Sequence, residues 1–188
     1  MRRILLVVAL LLLAADAHAI IIIGGSGAAP EPPAGDNCTS QAADVSITTD
    51  ETSSIFYSAT DRGQSWKAGV TRDLYSLSFR RYNDTLEGAE TLVIRIGTSS
   101  DLSSSYLIEY TCTVPNANGT FECVVPTPRP SLTSGTTYYA IMQSTSNWSI
   151  RRASSSVYAD GSAFYDTTAD YVGTAATTDL YFITKMCD

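Results

Sequence analysis

Histidine is nearly missing from this chain of 188 residues, and the single one, His18, sits in the segment most exposed to removal. Met1 to Ala19 reads as a secretory leader: Arg2 and Arg3 form a basic start, Ile4 to Leu13 an apolar run, and Ala17-His18-Ala19 a cleavage site with small flanks. A chain cut before Ile20 has no imidazole. That excludes a Ser-His-Asp triad, a Cys-His pair and histidine-bound zinc or iron. Carboxylate, tyrosine or lysine chemistry survives, or none.

Other absences narrow the class further. No run of Lys or Arg offsets the formal charge of −7, since Arg80-Arg81 and Arg151-Arg152 stand alone. Loss of Arg2, Arg3 and Asp16 with the leader makes the balance one unit more acidic. Nucleic acid and anionic membranes need a basic field, so neither is expected as a partner. A membrane enters only if the leader is retained as an anchor, its apolar stretch extended through Ile20 to Ile23 to bilayer length. Asp16 and His18 interrupt that stretch, and an aspartate costs about 2.5 to 3.5 kcal/mol at the centre of a span, less near its end, so cleavage and export are the expectation.

No cysteines are spaced C-x-x-C, which disfavours metal and thioredoxin-like readings. Cys38, Cys112, Cys123 and Cys187 are an even set suited to disulfides in an oxidising compartment, with three connectivities open. Cys112 and Cys123 flank Val114 to Gly119, and a hairpin centred on Ala117-Asn118 would set them opposite each other. That bridge is expected, leaving Cys38 for Cys187 by elimination. Asn37, Asn83, Asn118 and Asn147 each begin an N-x-S/T sequon, of which Asn118 at the expected hairpin tip is the best candidate for a glycan.

Helical periodicity is lacking as well. Residues 20–43 read as a short aliphatic run, Ile20, Ile21, Ile22 and Ile23, followed by a Gly/Ala/Pro-rich linker, with the folded domain expected over 44–188. Within it, apolar residues alternate with polar ones: Tyr75, Leu77 and Phe79; Leu92, Ile94 and Ile96; Ile108, Tyr110, Cys112 and Val114; Phe121, Cys123 and Val125. About eight to ten strands with no helices between them specify an all-β domain, an antiparallel β-sandwich of two sheets.

Four segments carry a resemblance: Gly63-Gln64-Ser65-Trp66-Lys67-Ala68-Gly69, Leu132 to Ile141, Tyr158-Ala159-Asp160-Gly161-Ser162-Ala163-Phe164, and Asp179-Leu180-Tyr181-Phe182. In this order the chain resembles the extracellular jelly-roll domains of prokaryotic surface proteins of the choice-of-anchor kind, which are similar to carbohydrate-binding modules. The resemblance implies a jelly roll and supplies no catalytic residue. The four cysteines depart from its pattern.

Trp148 with Asn147, Arg151 and Tyr158 could form a sugar platform, an aromatic face for C–H groups with amide and guanidinium donors for hydroxyls. Trp148 shares a strand face with Ile150, however, which favours the core, and Trp66 is expected there too. Asp160, Asp166, Asp170 and Asp179 could offer oxygens to a structural calcium, although no EF-hand spacing is present and solvated loop acids are the simpler reading. The same acids with Glu87, Glu90, Glu109 and Glu122 are the only candidates for glycoside hydrolysis. The expectation is a non-catalytic module without a cofactor, binding a glycan or another surface polymer. The alternative is a filament subunit whose Ile20–Ile23 adds as a strand to a neighbouring copy.

Overall fold

The computed structural model describes residues 38–56, 60–82 and 90–188. Thirteen strands cover them: β1 (Gln41–Ile47), β2 (Thr52–Phe56), β3 (Asp61–Lys67), β4 (Arg72–Tyr82), β5 (Glu90–Gly97), β6 (Ile108–Val114), β7 (Gly119–Val124), β8 (Ser131–Leu132), β9 (Thr137–Ser144), β10 (Trp148–Arg152), β11 (Ala163–Tyr165), β12 (Thr174–Ala175) and β13 (Phe182–Cys187). The count exceeds the eight to ten expected in part because β8 and β12 are only two residues long. Pieces that short hold no readable alternation. The domain also starts earlier than Asp44, since β1 opens at Gln41.

Eight of the strands make a jelly roll. One sheet runs β2-β10-β4-β7 and the other β3-β9-β5-β6, with every neighbour antiparallel. Where β10 leaves β4 after pairing Arg81 and Tyr82, β13 takes its place along Leu74 to Phe79. β1 then flanks β13, and β11 with β12 extends the second sheet beyond β3.

Period-two alternation decides the packing. Leu77 and Phe79 of β4 face inward, as do Leu92, Ile94 and Ile96 of β5, all fully buried. An aromatic row crosses the interior from Tyr138 through Trp66, Phe182, Phe79 and Phe121 to Trp148, each successive pair of ring centroids 5.3–5.9 Å apart. Such tilted and edge-on contacts add to the burial of the rings themselves. A smaller apolar cluster lies on the outer face of the second sheet, where Leu102 and Tyr171 cover Ile141.

β6 and β7 belong to different sheets, so the segment between them is an arch crossing the sandwich rather than the expected hairpin. Cys112 and Cys123 are nonetheless bonded, with 5.4 Å between their Cα atoms, and the bridge joins the two sheets at their edges. Cys38 is bonded to Cys187, Cα atoms 4.9 Å apart, tying the approach to β1 to the end of β13. Both bridges fit an oxidising compartment.

Candidate functional site

At one end of the sandwich three of the resemblance segments converge. β3 closes with Trp66 turned into the core and Lys67 exposed, and the chain then turns through Ala68 and Gly69. The Gly69 N–H donates to both carboxylate oxygens of Asp44, at 3.1 and 3.0 Å. A Cβ on Gly69 would stand 2.6 Å from Asp44 Oδ1, so a side chain there would displace the carboxylate.

The turn before β9 packs alongside. Gly135 N–H donates to Ala68 O at 2.7 Å, Ala68 N–H to Thr136 O at 3.0 Å, and Ser134 Oγ to Gly69 O at 2.7 Å. Gly135 has φ 81°, a left-handed conformation natural to glycine, and no heavy atom lies within 4 Å of where its Cβ would be. Its backbone therefore borders open space.

Tyr158 forms the opposite wall. Its hydroxyl lies 3.3 Å from both the N–H and the carbonyl of Lys67. The backbone that carries it is held from inside: the buried Asp179 carboxylate accepts the N–H groups of Val157 at 2.7 Å and Tyr158 at 2.8 Å, and Gln64 Nε2 at 2.9 Å. Gln64 Oε1 in turn accepts Leu180 N–H at 2.8 Å. Partial burial raises the Tyr158 phenol above its ordinary range, and the charges of Asp160, Asp44 and Asp179 push the same way.

Together these elements border an open, shallow cleft of 470 Å³ lined by Asp44, Lys67, Gly69, Gly135, Tyr158 and Asp160, among others. That is within the usual range of small-molecule sites, about 300 to 1,000 Å³. An aromatic ring, carboxylates, an ammonium and bare backbone suit a polyhydroxylated ligand.

The four residues proposed as a sugar platform are not brought together. Trp148 is fully buried, with Nε1 donating to Ser144 Oγ at 2.9 Å, so it cannot stack on a ligand. Period-two alternation, which put Ile150 on the same face, turns Arg151 to the other face of the sheet, where its guanidinium lies 4.0 Å from the centre of the Tyr82 ring. Asn147 is exposed in the turn before β10. Tyr158 alone reaches the cleft. Tyr138 and Ser144, which mark the two ends, are six residues apart on β9, about 20 Å of strand.

The acidic residues are dispersed. Asp179 is structural, a correction to its reading as a solvated loop acid, and Asp166 and Asp170 accept hydrogen bonds from their own loop at Thr168 and Val172. Among the described residues no three His, Cys, Asp or Glu side chains gather where they could hold a metal. Glu90 bonds to Ser146, Glu109 to Arg95 and Glu122 to Lys185. Asn118 and Asn147 are exposed, whereas Asn37, Asn83, Glu87 and the expected donor segment Ile20–Ile23 lie outside the described residues.

Sequence reasoning missed Asp44, Lys67, Gly69 and Gly135 as members of one site. The signal was in the turn motifs, whose glycines mark close approaches of backbone. No protein-family model matches the chain, and no curated protein is significantly similar to it.

Proposed function

We propose that the protein is an exported, non-catalytic recognition or adhesion domain that holds a glycan or another surface polymer in the cleft beside Tyr158. The observation that carries this reading is the cleft itself: a half-buried tyrosine, two carboxylates, one ammonium and the open backbone of Gly135, presented from turns on a sandwich. Two disulfides agree with display outside the cytoplasm. The resemblance to surface jelly-roll domains points the same way.

Polysaccharide retention in affinity electrophoresis tests it. Tyr158→Ala is expected to abolish retention and to lower stability by no more than about 1 kcal/mol, because the ring is partly exposed and its backbone is held by Asp179. Retention unchanged in Tyr158→Ala would move the site elsewhere. Release of reducing sugar by the wild type would overturn the non-catalytic reading.

A further inference from the structure

We infer that the ligand of this cleft is a saccharide bearing free amines, a glucosamine-type chain rather than an N-acetylated or uronic one. The inference rests on the saccharide reading above and adds the charge of the ligand to it. Two observations carry it.

The first is a pattern in how tyrosines are used. Arg62 and Arg152 stand over Tyr165, Arg80 over Tyr181, Arg129 over Tyr75, Arg151 over Tyr82, and Arg95 over both Tyr106 and Tyr171, all within 3.8–5.7 Å of the ring centroid. At that distance a cation is attracted by the negative face of the ring. Among the described tyrosines Tyr110, Tyr138, Tyr139 and Tyr158 carry no such cation; Tyr110 and Tyr138 are buried in the core, and Tyr158 is the one of the four that lines the cleft. Its ring is the one at the cleft that an incoming cation can use.

The second is the charge around that ring. The cleft holds the carboxylates of Asp44 and Asp160 against the single ammonium of Lys67, and no arginine lines it. Asp44 is oriented by the Gly69 N–H, while Asp160 is exposed. Asp179 lies behind Tyr158, and the chain as a whole carries −7. A ligand ammonium would meet a ring face and two carboxylates. A uronate or sulfate would meet the same two carboxylates with only the Lys67 ammonium to pair with, in a field that is negative on balance. Gly135, with open space where a Cβ would stand, lets a pyranose ring lie against the backbone there, whereas the corresponding space at Gly69 is filled by the Asp44 carboxylate.

Binding would be measured by calorimetry at pH 6 and low salt with three probes of equal length: a glucosamine oligomer, its fully N-acetylated counterpart and an oligogalacturonate. The glucosamine oligomer is expected to bind about fivefold more tightly than the acetylated one, the strength of a partly exposed ion pair, and the gap should close with added salt. The galacturonate should not bind. Asp160→Asn should narrow the gap between the cationic and the acetylated oligomer to about twofold, since Asp44 and the Tyr158 ring remain, and its melting temperature should match the wild type. Equal affinity for both glucosamine forms in the wild type would overturn the inference and leave the saccharide reading standing. Failure of all three probes would remove both. Oligolysine binding as tightly as the glucosamine oligomer would also overturn it, because the cleft would then be reading charge without sugar.

Discussion

The Asp179 carboxylate accepts four hydrogen bonds, from Gln64 Nε2, the Val157 and Tyr158 N–H groups and, at 3.5 Å, the Ser156 hydroxyl, in a place water does not reach, and Asp160, nineteen residues earlier, accepts none from the described chain. At the scale of one residue, then, two aspartates do opposite work. Asp179→Ala leaves the N–H groups of Val157 and Tyr158 and the Gln64 amide without their acceptor. Each buried donor so orphaned costs about 1 to 3 kcal/mol, and water can enter from the loop side, so about 3 kcal/mol in all is expected. Retention by the cleft should fall with it, since the segment carrying Tyr158 loses its anchor. Asp160→Ala should stay within about 0.5 kcal/mol of wild type. Denaturant melts of the two variants make the comparison. Nothing in the sequence separates these residues, because the difference lies in Gln64, a strand residue far away in the chain that reaches both Asp179 and Leu180.

Among the elements, β3 is anchored on its outer face by a carboxylate. Asp61 accepts the backbone N–H groups of Asp170 and Tyr171, which holds the 166–173 segment down over the small cluster at Ile141. Burial raises its pKa to about 6, against the lowering effect of the Gln143 amide and of those two N–H groups, with the Asp170 carboxylate pushing it further up. Tyr171 in this segment lies under the Arg95 guanidinium, and Arg62 is the neighbouring cation on β3. A carboxyl whose folded pKa exceeds its unfolded value near 3.8 favours the folded state when protonated. Its contribution is therefore full below about pH 4 and lost as the pH rises through about 6. Melting temperature is expected to decline over that window for this group, and Asp61→Asn should flatten the decline. An unchanged slope in the variant would assign the pH dependence elsewhere. The strands themselves were legible where alternation ran for five residues or more, as in β4, β5 and β6. The arch was not: Val114 and Phe121 fit a hairpin as well as a crossing, since both structures turn alternate side chains inward, and only the pairing of β6 with β5 and β7 with β4 distinguishes them. The cleft was half legible. Tyr158 was found because it is aromatic in a loop, whereas Asp44 and Gly135 matter only through contacts that connect residues far apart in sequence.

Across the whole molecule the two disulfides do unequal work. Cys112–Cys123 closes a segment of 11 residues between the edges of the two sheets, and Cys38–Cys187 closes one of 149 that spans nearly the entire described chain. If the bridges act by limiting the unfolded chain, the short loop contributes about 3 kcal/mol and the long one about 5 kcal/mol. Native contacts modify that order. β1 is already paired to β13 from Gln41 to Ile47, so losing Cys38–Cys187 leaves six register pairs to hold the sheet edge, and the folded state barely changes. β6 and β7 share no ladder, so losing Cys112–Cys123 removes the direct tie between two edges and lets the sheets part there. Paired Cys→Ser variants of each bridge, melted in denaturant, test the two contributions. The 38/187 variant is expected to lose more total stability with native-like hydrogen exchange in β6 and β7, and the 112/123 variant to lose less overall but to exchange faster at Ile108–Val114. A larger stability loss from the 112/123 variant would show that the tie between sheets outweighs the entropy of the long loop.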